Sequence, residues 1–135
     1  MYFAIKIYDN ADSRALRTKY RKDHLNYISK SKEQILFAGP ILSTDQQIEI
    51  GSHRIINLPN RRAAEKHVLE EPYLVNNVQH SPEICRWSPS IKFNWQDCPR
   101  KSGNIQYLIH AMDKANSSAL RDKLRSKHLA YQASV

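Results

Sequence analysis

The sequence predicts an α+β domain with elements in the order strand, helix, strand, strand, helix, strand, followed by a partial second copy of its own beginning. Three observations predict it. Apolar residues alternate along Phe3, Ile5 and Ile7, the period of a half-buried strand. Leu16, Tyr20, His24, Tyr27 and Ile28 then recur at helical spacing and fall on one helix face. Finally, shifting the chain by 104 positions lays residues 105–131 over residues 1–27 without a gap.

The first strand runs Tyr2 to Tyr8, and a turn at Asp9 to Asp12 follows, with Asp12 expected to cap a helix ending near Ser31. Ile35 to Leu42 reads as the second strand. Its Gly39-Pro40 step belongs at a sheet edge or bulge, because proline cannot donate to a ladder. Ile48 to Leu58 reads as the third strand. Pro59-Asn60 opens the second helix, with Ala64, His67, Val68 and Glu71 on its inner face and Pro72 as its expected end. Glu83 to Trp95 is extended, and Ile91, Phe93 and Trp95 alternate at its far end. With right-handed crossovers this order gives the ferredoxin-like split βαβ arrangement, an antiparallel sheet with both helices on one face. The other face needs a cover, and the sheet of a second copy supplies the simplest one, so a homodimer is expected.

The repeat has 12 identities in the 26 positions from Tyr2 to Tyr27, among them Asp9 with Asp113, Arg17 with Arg121, Arg21 with Arg125 and His24 with His128. Ordinary composition gives roughly one or two by chance. The expected organisation is a domain over 1–95, a polar linker over 96–104 containing Pro99 and Gly103, and a strand-helix fragment over 105–135. A two-element piece of that size cannot bury its own apolar face.

The bulk composition bounds the function. The chain has 135 residues, 41% apolar and 25% charged, enough for a hydrophobic core without a disulfide or metal staple. No apolar run is long enough to span a membrane, and Met1 to Tyr8 lacks the basic-then-apolar pattern of a signal peptide. With only Cys85 and Cys98, a reduced cytoplasmic protein is expected. The net charge of +8 suits nucleic acid, acidic membranes or small anions. However, basic residues alternate with acidic neighbours and form no block, which favours solvated helix faces and makes nucleic acid the weaker expectation.

Four segments carry a family resemblance. Arg21-Lys22-Asp23-His24-Leu25 is similar to an Arg-x-x-His-Leu helix motif, and Ile35 to Pro40 to an apolar-Ala-Gly-Pro strand. Gly51-Ser52 fits a third-strand start, and Glu70-Glu71-Pro72-Tyr73 fits an Asp-Pro-aromatic segment after the second helix. Together they resemble the YciI-like, or YCII-related, group of the dimeric α+β barrel superfamily, and residues 113–131 resemble it again. The resemblance implies a homodimer, a pocket between sheet and helices, and an active site pairing the helix-one histidine, here His24, with an acidic residue before the proline. That position holds Glu71 where the family has aspartate, which adds a methylene.

An imidazole held by a carboxylate on one nitrogen can act as general base with the other. His24 and Glu71 would be the catalytic pair, suited to proton abstraction beside a carbonyl, isomerisation or elimination on a small anionic substrate. Arg21 would neutralise a carboxylate or enolate, and Tyr27 and Ser52 would add hydroxyl contacts. The plain alternative is a half-buried helical histidine with a surface arginine, in a non-catalytic dimeric ligand-binding or interaction module. His53, His67, His80 and His110 lack metal-ligand spacing, and three glycines leave no phosphate-cradling loop, so neither metal nor cofactor is expected. His128 has no carboxylate equivalent to Glu71 and is expected to be idle.

Overall fold

A computed structural model describes residues 1–45, 47–90, 102–103 and 107–134. It places β1 at Tyr2–Asp9, α1 at Arg14–Ser29, β2 at Ile35–Leu42, β3 at Glu49–Asn57, α2 at Arg61–Leu69, α3 at Pro72–Val75, β4 at Gln79–Trp87 and α4 at Ser118–Ala133. The four strands form one antiparallel sheet in the order β2-β3-β1-β4, the ferredoxin-like order. Residues 1–88 form one compact unit and residues 89–135 a second. No helix among the described residues is long and apolar enough to cross a membrane.

Phe3, Ile5 and Ile7 of β1 are buried, as their alternation predicts, and form a core with Ile56, Leu58, Ala64 and Val68. Each of these side chains other than that of Ala64 contributes roughly 2 kcal/mol by leaving water. Gly39 and Pro40 lie on β2, an edge strand, the place in a sheet where proline is tolerated. Gly51 is required by close approach, since a Cβ there would sit 2.5 Å from the Ile7 carbonyl oxygen across the β1–β3 pair. The second helix starts where expected, with the Asn60 side chain accepting from the Ala63 N–H.

Several boundaries differ from expectation. Ser13, not Asp12, takes the N-cap position of α1, while Asp12 adopts a left-handed backbone with φ 58°. The inward face of α1 is Ser13, Arg17, Tyr20, His24, Tyr27 and Ile28, whereas Leu16 is exposed. Pro72 does not merely end α2. It opens the short α3, where its missing N–H is tolerated in the first turn. Strand β4 begins at Gln79, four residues early, and Ile91, Phe93 and Trp95 lie outside the described residues, as does most of the 96–104 stretch.

In the second unit the expected helix is present as α4, but residues 107–114 carry no strand. A β-sequence forms a ladder only where a partner strand pairs with it. The unit nevertheless reproduces local features of β1–α1 at positions 104 later. Asn116 has φ 58° like Asp12, Ser117 holds the N-cap position like Ser13, and Arg121 pairs with Asp113 as Arg17 does with Asp9.

Candidate active site

Helix α1 carries His24 to the start of α3, where His24 Nδ1 lies 2.6 Å from Glu71 Oε1. The extra methylene of glutamate is accommodated because Glu71 has left α2 and sits in extended backbone as the N-cap of α3. Its Oε1 also accepts the Tyr73 N–H at 3.3 Å. Glu71 is fully enclosed, and burial by itself would raise its pKa. The hydrogen bond from His24, the charge of Arg54 and the Tyr73 N–H outweigh burial and hold it below the ordinary carboxylate range. The ionised carboxylate accepts the hydrogen bond from His24 Nδ1–H, which leaves Nε2 as the ring nitrogen not engaged by Glu71. The imidazole stacks on Tyr73 with ring centroids 4.1 Å apart and planes 7° from parallel.

A second cluster closes the neighbouring end of the sheet. The buried Arg17 guanidinium donates to Asp9 at 2.7 and 2.9 Å and to Glu49 at 2.6 Å, and it lies 4.8 Å from the Tyr73 ring centre. Burial disfavours its charge, but the Glu49 hydrogen bond and the Asp9 charge more than compensate, and its pKa is raised. Gln79 Nε2 donates to Asp9 at 3.1 Å and to Ser52 Oγ at 3.0 Å, tying β4, β1 and β3 together. Arg21 is half exposed and reaches Glu49 at 3.4 Å.

Arg17, Arg21, His24, Ser52, Arg54 and Tyr73 line one cleft of about 290 Å³ beneath α1. That size suits a single-ring molecule. The structure thus brings Arg21, His24 and Ser52 to one cleft with Glu71 behind the imidazole. Tyr27 is not among the residues lining it: its hydroxyl donates to the His67 carbonyl at 2.8 Å and lies 3.4 Å from His67 Nδ1. Burial beside Arg54 pushes the His67 pKa down to about 4. No group of three or more potential metal ligands occurs among the described residues.

Arg17 and Arg54 are not singled out by the sequence as cleft residues, whereas Tyr73 belongs to the Glu70–Tyr73 segment and is buried. For Arg17 a signal was present, because both it and Asp9 recur in the second copy. Arg54 stands between His53 and Ile55 in β3, and nothing in the spacing marks it.

A comparison with protein families matches residues 1–88 to the YCII-related domain. The chain belongs to the YCII-related family. Among solved structures, this YCII-related chain is similar to the 5-chloro-2-hydroxyhydroquinone dehydrochlorinase TftG of Burkholderia phenoliruptrix AC1100, determined in complex with 2,5-dihydroxybenzoquinone. The two share 25% identity with a TM-score of 0.61, over 65% of this chain and 94% of that one. No curated protein matches the chain.

Proposed function

We propose that this YCII-related protein is a small cofactor-independent lyase or isomerase whose His24–Glu71 pair moves a proton on a small anionic, oxygenated ring substrate. The observation that carries the reading is the 2.6 Å contact between His24 Nδ1 and an enclosed, ionised Glu71, in a side chain that lines a ring-sized cleft. Glu71 orients the imidazole and fixes its tautomer, and Nε2 takes the proton. The C–H or O–H bonding pair moves into the substrate. In an elimination a leaving group such as chloride departs with its own bonding pair; in an isomerisation the proton returns at another atom. Both balance without oxidant or reductant. The similarity to a dehydrochlorinase favours elimination from a halogenated hydroxyquinol.

A homodimer is part of the same proposal. The sheet face away from the helices presents Tyr2, Phe37, Ile41, Ile55 and Trp87, which a second copy would cover. Light scattering at twice the chain mass is the expected result.

The test is chloride release from a panel of chlorinated hydroxyquinols, with substrate isomerisation followed in parallel. His24→Asn is expected to lower kcat by about 10²- to 10⁴-fold, and Glu71→Gln by less because its amide oxygen can still accept from Nδ1–H. Undiminished turnover in His24→Asn would refute the reading.

A further inference from the structure

Three guanidinium groups line the cleft, and their surroundings separate them. Arg17 is saturated by Asp9 and Glu49. Arg21 is half in solvent and shares Glu49. Arg54 is 3% exposed, and its guanidinium makes no hydrogen bond or ion pair among the described residues, with Nε and Nη2 enclosed and unmatched. It sits on β3 opposite Ile5 of β1 and Ala38 of β2, on the same sheet face as the core residue Ile56. An aliphatic residue there would extend the core. A buried guanidinium without partners is costly and calls for an explanation.

The neighbouring charges indicate what would match it. Burial lowers the Arg54 pKa, and the main opposing influence is the charge of Glu71, which acts across space without pairing. The adjacent His67 supplies no negative charge and remains neutral down to about pH 4. The Glu71 carboxylate is committed to His24. Once His24 takes up a proton, Glu71 balances the imidazolium, and Arg54 becomes an uncompensated positive charge in the same cleft. An anion produced by that same proton transfer would restore neutrality.

We propose that Arg54 is the anion-recognition residue of the cleft, binding a carboxylate, phenolate or enolate oxygen and restricting the substrates to small molecules that carry one. This rests on the proton-transfer reading above for its catalytic consequence, but not for the binding itself. Arg21, the anion contact expected from sequence, is then a minor contributor at the cleft mouth. With Nε and Nη2 enclosed, Nη1 is the donor left for such an oxygen, in a charge-assisted hydrogen bond.

The experiment compares benzoate with its uncharged isostere benzamide, by calorimetry on the full-length protein and on Arg54→Leu, Arg54→Lys and Arg21→Gln. Native protein is expected to bind benzoate at least about tenfold more tightly than benzamide. The preference should vanish in Arg54→Leu, shrink in Arg54→Lys and persist in Arg21→Gln. Arg54→Leu should fold and melt a few degrees higher, since it replaces an unmatched buried charge with an aliphatic group. Benzoate binding no tighter than benzamide to the native protein, or a preference that survives in Arg54→Leu, overturns the proposal. Benzoate does not react, so the two readings fail separately. Charge preference without any turnover removes the catalytic reading alone, and turnover that depends on His24 without charge preference removes the anion site alone.

Discussion

His67 shows how a single buried imidazole sets the acid limit of this fold. Unfolded, it takes a proton near pH 6.5; folded, burial and the nearby Arg54 delay protonation to about pH 4. Between those values the unfolded chain holds more protons, so stability falls as pH drops through the window, by on the order of 3 kcal/mol across all of it. Glu71 and Glu49 have folded pKa values below their unfolded ones, so their contributions are intact above the carboxylate range and fade only at lower pH. Urea unfolding at pH 7 and pH 5 is therefore expected to show a loss that His67→Gln largely removes. An equal loss in that variant would assign the effect elsewhere. At this scale the sequence was a partial guide. His24 and Glu71 were legible from the motif resemblance, and the structure places them in contact. For Tyr27, helical spacing places the residue on the inward face without saying where a long side chain ends, and its hydroxyl ends at the His67 carbonyl.

At the scale of elements, Arg17 is the joint between β1, α1 and β3, through Asp9, Glu49 and the Gly51 carbonyl oxygen at 3.4 Å. Removing one partner of a buried charge cluster leaves the others enclosed and unmatched. Arg17→Met is expected to lower stability by about 3–5 kcal/mol in urea melts, more than Leu16→Ala, whose side chain is exposed. The strands of the sheet follow from alternating apolar residues, and α2 from its Asn60 cap, because those features record burial directly. The inward face of α1 was set one residue off at its start, since counting apolar residues cannot foresee a guanidinium turned inward toward two carboxylates. Similarly, Pro72 looks like a stop and works as a start, because the distinction depends on what Glu71 caps.

At the scale of the whole molecule, the core cluster of the described residues lies within the 1–88 unit, while α4 has no buried residue. The fold class was legible because the order of elements leaves few right-handed, unknotted arrangements. The absence of a strand at 107–114 was not, because alternation signals a capacity for pairing and not a neighbour. The likeness of α1 and α4 has a consequence for how the chain reaches its native state. Arg121, Leu124, His128 and Tyr131 sit where Arg17, Tyr20, His24 and Tyr27 sit in α1, so each molecule carries an internal rival for the seat of its own first helix. Dilution from denaturant should divide the population, with some chains seating the wrong copy and escaping slowly. Stopped-flow traces of full-length protein are expected to show a lagging kinetic phase that is missing from a 1–88 fragment. Identical traces would mean that the rival never competes.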